Sequence, residues 1–310
     1  MTQSSAELLA ALGLSGAAQT GPPASPLRFP DGAHYRVEIP SVEGPRCLDA
    51  VLTEADRLAV PVTRVSQGSG VGMLTDAELT EMVKLAAGNG VELSLFARPC
   101  AAWGPSATTR APAGGVLGAS AWGGAQLIAA VDEIRRAADL GVRSVLVSDL
   151  GVLCVLGRLR ASGELPADLQ AKVSVMLPVA NSATASVLVD LGASTLNLPT
   201  DLSLAQIAEI RAVVDVPVDI YVEAPDNLGG FVRHHELPAL VEVAAPVYVK
   251  FGLRNAPDVY PSGSHLDDLT VALSRERVRR ARLGLDLLER AASTAVCSSP
   301  GATGLAVPVP

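Results

Sequence analysis

The chain has 310 residues, 49% hydrophobic and 18% charged, which supplies one large apolar core and excludes global disorder. A formal net charge of −8 argues against a nucleic-acid partner, whose binders need a basic face. No apolar run reaches the roughly 18 residues of a membrane span, and no basic-then-apolar leader opens the chain, so the sequence reads as cytoplasmic with no membrane partner.

The first 33 residues combine a short helical pattern (Ala6–Leu12) with a Gly/Pro/Ser-rich stretch and read as a flexible arm; 34–291 read as the folded domain. Tyr35–Pro40 has strand character, and a helix over Arg46–Leu58 starts behind Pro45. Strand Pro61–Gln67 precedes a helix opened by a capping box of Thr75 and Glu78 and closed by Gly90. Strand Val91–Phe96 leads into a long loop, Ala101–Gly124, with Trp103, Arg110 and Trp122. Helix Ala125–Leu140 ends at Gly141, and strand Ser144–Ser148 follows.

Helix Gly151–Ala161, strand Ala171–Leu177 and helix Ser182–Leu191 continue the alternation. Strand Thr195–Leu198 and helix Ser203–Val213 come next, then strand Val218–Glu223 and a helix around Glu236–Val243. Strand Val247–Phe251, a polar lid-like loop Leu253–Ser264 and the charged helix Ser274–Arg290 complete the set; its basic run Arg275–Arg282 reads as a solvated face. Residues 292–310 are small, polar and Pro-rich and read as a disordered tail. Eight strand–helix pairs predict a single-domain α/β fold, an eight-stranded parallel (β/α)8 TIM-type barrel. The competing doubly wound sheet would usually show GxGxxG after its first strand, and none is present.

Alternate strand residues of a barrel point inward, and catalytic groups sit at the C-terminal strand ends. The inward parity collects Arg36, Glu92, Lys172 and Asp219 low on their strands, where an internal ion-pair network accounts for them. Glu38, Arg64, Arg98, Asn197, Glu223 and Lys250 fall near the C-terminal ends and predict a cleft of mixed charge. Two carboxylates, Glu38 and Glu223, could act as general acid and base or hold a divalent cation, with Lys250 between them as base, electrostatic stabiliser or Schiff-base amine. Arg64 and Arg98 would bind an anion, with Gln67, Asp149, Asn197, Arg254 and Asn255 as further substrate contacts. The glycines of 67–70 and 227–230 could turn backbone N–H groups toward a ligand or simply make tight turns. His234 and His235 are adjacent, hence not a paired metal site, though either could stand at the mouth.

Asp149–Leu150–Gly151–Val152–Leu153, then Asn181–Ser182, Leu191–Gly192–Ala193 and Leu202–Ser203–Leu204–Ala205–Gln206–Ile207 before Val218–Val222, resemble the collagenase-like peptidase family U32 over roughly residues 135–225. The resemblance implies an α/β barrel. Several members of that family ligate an iron–sulfur cluster through cysteines after strand seven. Here Glu223–Ala224–Pro225–Asp226 stands at that place, and Cys47, Cys100, Cys154 and Cys297 are dispersed, so no cluster is expected and the cofactor stays open. The first function reading is a cluster-free small-molecule enzyme, of lyase or isomerase type, acting on a small anionic oxygenated substrate. The alternatives are a peptidase, as the family's name implies, and a non-catalytic barrel subunit or binding module; a homo-oligomer is compatible with each.

Overall fold

The computed structural model describes residues 8, 10–12, 21–98, 100–104 and 107–310. Residues 6, 7 and 9 of the helical pattern expected over 6–12, and 16 of the 33 residues of the expected arm, lie outside the described residues. The eight strands are β1 (Tyr35–Pro40), β2 (Val62–Ser66), β3 (Glu92–Phe96), β4 (Ser144–Val147), β5 (Gln170–Val173), β6 (Thr195–Asn197), β7 (Val218–Glu223) and β8 (Val247–Phe251). They pair in parallel in chain order and close into a barrel through β1 and β8. The helices are α1 (Pro45–Arg57), α2 (Asp76–Gly88), α3 (Gly123–Asp139), α4 (Leu150–Ser162), α5 (Ser182–Asp190), α6 (Leu204–Arg211), α7 (Leu237–Ala244) and α8 (Asp267–Arg290). The chain thus forms a (β/α)8 barrel, and no helix among the described residues is long and apolar enough to cross a membrane.

The outward strand residues, among them Val37, Val65, Leu95, Val173, Ile220 and Val249, are fully buried under the helices and form the main apolar core. The capping box of Thr75 and Glu78 is in place, and Ser203 with Gln206 makes a second one at α6. Helix α8 begins seven residues before the expected Ser274, because Leu266 and the acidic pair Asp267–Asp268 open it ahead of the periodic stretch. Arg277 within it is buried beneath the barrel mouth and donates to the Ser41 carbonyl at 3.2 Å, so the basic run is not wholly a solvated face.

The C-terminal residues differ most from expectation. Residues 292–310 do not hang free; they cross the N-terminal end of the barrel. Ser298 pairs with the Tyr35 carbonyl at 3.0 Å, Gly301 with Gly90 at 2.8 Å and Val309 with Gly141 at 2.8 Å. Gly90 and Gly141, legible as helix stops, are also seats for this strap: a Cβ on Gly90 would stand 2.7 Å from Gly301 N, and one on Gly141 would strike the Val309 carbonyl. Composition misleads because the strap orders itself through backbone pairing and polar contacts, not through apolar periodicity. Arg36 donates to Ser298 Oγ at 3.0 Å and to the Thr303 carbonyl at 2.7 Å, and lies 4.0 Å over the Phe29 ring. Phe29, from the expected arm, packs edge-on against Tyr248 at 5.3 Å and closes the same end.

Candidate functional site

The barrel interior is charged, as its parity requires, yet the groups expected to open onto a cleft are sealed. Register places Glu38 opposite both Arg64 and Lys250, and Arg64 opposite Glu92. Glu38 accepts from Arg64 Nε at 2.8 Å and Ser66 Oγ at 2.7 Å, pairs closely with Lys172, and lies 3.3 Å from Lys250 Nζ. Arg64 also pairs with Asp219, and its guanidinium lies 3.3 Å over the Tyr248 ring. Lys250 donates to Asn197 Oδ1 at 2.9 Å, and Asn197 Nδ2 donates to the Val173 carbonyl at 3.0 Å. Each of these side chains is buried.

Burial opposes ionisation of Glu38, but Arg64, Lys172 and Lys250 outweigh it and hold its carboxyl well below the usual range. Burial, reinforced by the charge of Arg64, brings Lys172 down to about 7. Four cations (Arg36, Arg64, Lys172, Lys250) meet three carboxylates (Glu38, Glu92, Asp219) here, so a neutral Lys172 would balance the set. Glu38, Arg64, Asn197 and Lys250 therefore join the network expected only for Arg36, Glu92, Lys172 and Asp219. The reason is height: several strands continue above this level, and Phe96, Leu146, Ser174 and Tyr221 cover it.

Glu223 does not meet Lys250 or Glu38. The β7–β8 register shifts between Tyr221 and Glu223, which breaks the two-residue alternation. Tyr221 stays inward, with Lys250 Nζ 4.3 Å from its ring centroid. Glu223 turns out to His234 Nε2 at 3.2 Å, the Arg254 backbone N–H at 2.9 Å and Arg280 Nε at 3.6 Å. Burial opposes its ionisation, but the His234 bond, the Arg254 N–H and Arg280 lower its carboxyl below the ordinary value. The expected Glu38–Glu223 pair for a divalent cation is thus not formed, and no metal-sized group of ligands occurs among the described residues.

Other expected contacts are also spent on structure. Gln67 binds its own loop, donating to the Gly70 carbonyl at 2.9 Å and accepting from Gly70 N–H at 3.0 Å. Asp149 caps α4 through Val152 N–H at 2.9 Å and accepts Ala121 N–H at 3.0 Å. Arg254 and Asn255 lie exposed, tied to Asp226 at 3.6 Å and 2.7 Å.

Arg98 alone of the expected set lines the mouth. There the C-terminal strand ends and the loops that follow them enclose a pocket of about 290 Å³, with Tyr221, Leu146 and Ser174 at its floor and Trp103, Asp258 and Tyr260 on its walls. β5 stops at Val173, short of the expected Leu177, so both Val175 and Met176 reach this space. The Arg98 guanidinium lies 4.3 Å from the Trp103 ring centroid, and its Nη1 donates to the Gly68 carbonyl at 2.6 Å. Its Nε is buried without a hydrogen-bond partner among the described residues.

Glu43, which carried no signal in the sequence, holds that loop from behind. Its carboxylate accepts Gly68 N–H at 2.9 Å and Ser69 N–H at 3.0 Å, so an internal carboxylate, not a ligand, occupies these backbone donors. Burial lifts the Glu43 carboxyl above its ordinary value against these bonds. Tyr260 bonds Ser41 Oγ at 2.5 Å and fits only beside a glycine, since a Cβ on Gly68 would stand 2.5 Å from its ring. Burial raises its phenol above the ordinary value. Trp103, Asp258 and Tyr260 were visible in the sequence only as members of two long loops, because loops carry no periodicity to place a side chain.

Fold and site together define an α/β barrel protein with a pocket at the C-terminal strand ends. Residues 122–224, about a third of the chain, match the model of Peptidase family U32, so the resemblance read from Asp149–Leu153 onward is shown over that segment. Among solved structures, a U32 peptidase is 19% identical, covering 68% of this chain and 73% of its own, with a TM-score of 0.39. A truncated 3-deoxy-D-arabino-heptulosonate 7-phosphate synthase from Thermotoga maritima is 14% identical (86% and 91% covered, TM-score 0.43). A thiamine phosphate pyrophosphorylase from Pyrococcus furiosus is 13% identical (80% and 98% covered, TM-score 0.40). No curated protein matches the chain.

Proposed function

We propose that this chain is a small-molecule enzyme, of lyase or isomerase type, whose substrate is a small anion held in the mouth pocket. The observation that supports it is Arg98: a half-buried guanidinium stacked on Trp103 at the pocket wall. A carboxylate or phosphate is the natural partner of such a group. Tyr221 is the titratable side chain at the floor, with the Lys250 ammonium against its ring, and serves as the proton-transfer group. The peptidase reading is favoured by the description of the matched family; a pocket of about 290 Å³ suits a small molecule better than a length of extended chain.

The test begins with native mass spectrometry of the purified protein and calorimetry with a panel of small carboxylates and phosphates. Arg98→Ala is expected to weaken the bound anion about 10- to 100-fold, the usual worth of a hydrogen bond to a charged group. Tyr221→Phe is expected to keep that affinity and to lower turnover at least ~100-fold. An Arg98→Ala variant with parental anion affinity would refute the reading, and efficient cleavage of a peptide library would favour the peptidase.

A further inference from the structure

Arg98 faces a second space. Between the loop after β2 and helix α3 lies a cavity of about 180 Å³, lined by Gly70, Gly72, Met73, Arg98, Trp103 and Glu133. Two groups of opposite charge are short of partners there. Among the described residues Arg98 Nε has none, and Glu133 Oε2 is buried without a hydrogen bond, the Arg136 Nη1 paired with it standing at 3.6 Å. Burial raises the Glu133 carboxyl above its ordinary value, which is the mark of a carboxylate that its own protein compensates poorly. Buried polar groups are normally satisfied, so two exceptions on one cavity call for a common explanation.

The glycines of the loop keep the space open. A Cβ on Gly72 would stand 3.3 Å from Glu133 Oε1, and one on Gly70 would stand 3.1 Å from Arg98 Cβ, at a backbone φ of +109° that disfavours other residues. A cavity of about 150 Å³ is known to be large enough for a ligand the size of benzene, so this one admits a small molecule.

We propose that this cavity is an amino-carboxylate subsite, in which Arg98 takes the carboxylate and Glu133 the ammonium of a small α-amino acid. A plain anion would leave Glu133 uncompensated, and a plain amine would leave Arg98 Nε unpaired; a zwitterion answers both with small rotations of the two side chains. The inference rests on the reading of Arg98 as an anion anchor and goes beyond it, adding a subsite in the second space that Arg98 lines.

Calorimetry with L-alanine, propionate and ethylamine at neutral pH tests it, on the parent chain and on Glu133→Gln. Alanine is expected to bind at least about tenfold more tightly than propionate or ethylamine, one charge-assisted hydrogen bond making the difference. The Glu133→Gln variant is expected to erase alanine's advantage over propionate while folding as the parent does. Arg136 keeps Asp76 at 2.8 Å and the Leu74 carbonyl at 2.7 Å without Glu133. Propionate binding as tightly as alanine, or an advantage that survives Glu133→Gln, would overturn the subsite. If propionate then still depends on Arg98, the anion reading stands without the amino-acid class. Binding by none of the three probes overturns the subsite as well, and the separate Arg98→Ala measurement on the wider anion panel decides the parent reading.

Discussion

Glu43 and Arg98 share one peptide group. Arg98 Nη1 donates to the Gly68 carbonyl, and the N–H at the other end of that peptide, from Ser69, donates to Glu43. A cation at one end and an anion at the other polarise the peptide in the same sense and strengthen both bonds. Glu43 is thus a positioning residue for the anion pocket. Glu43→Gln is expected to keep the thermal midpoint within a few degrees and to weaken anion binding roughly tenfold, the order of one charge-assisted hydrogen bond. The pH dependence follows from the raised carboxyl. Protonation of Glu43 removes the anion, so affinity in the parent chain is expected to fall as pH drops through that raised value. Titrating binding against pH checks this, and a Glu43→Gln variant with the parent's full pH profile would sink the assignment. Arg98 was legible because it stands just past β3 with inward parity. Glu43 lies in an irregular turn after β1, where no period marks which way a side chain points.

At the scale of elements, alternation along β-strands told the barrel's inside from its outside correctly for Arg36, Glu38, Arg64, Lys172, Asn197 and Lys250. It failed at two strand ends. The β7 irregularity beyond Tyr221 sends Glu223 outward, and β5 unwinds after Val173, bringing the three consecutive residues Ser174, Val175 and Met176 to the pocket. Neither departure has a sequence mark that distinguishes it from regular strand. What alternation also could not supply was height, and height decides whether an inward charge reaches the mouth or lies under Tyr221 and Leu146. Because Glu223 serves the β7–α7 connection rather than the pocket, Glu223→Gln is expected to leave anion affinity unchanged. Its loss from His234, Arg280 and the Arg254 N–H is expected to cost about 1–3 kcal/mol of stability, read as a shift in urea midpoint. A pocket that loses its ligand in this variant would return Glu223 to the site.

For the whole molecule, the eight-fold alternation was readable from end to end, whereas the closure of its N-terminal face was not. The strap of residues 296–309 satisfies Arg36 and approaches Glu92 through Ala306 N–H at 3.4 Å. A chain truncated after Ala292 is expected to lose several kcal/mol, since Arg36 would then lack two of its partners. At this size each kcal/mol moves the thermal midpoint by roughly 2–4 °C, so calorimetry resolves the effect; an unchanged midpoint would show the strap to be dispensable. The charged barrel interior has a consequence for temperature. Hydrating apolar surface on unfolding raises the heat capacity by about 0.45 cal/K/mol per Å², while hydrating polar surface lowers it by about 0.26. A barrel filled by Glu38, Arg64, Lys172, Asp219 and Lys250 in place of branched aliphatics therefore unfolds with a smaller heat-capacity increment than an aliphatic-filled barrel of equal length. Its stability curve is correspondingly flatter, and its folded state spans a wider range between cold and heat.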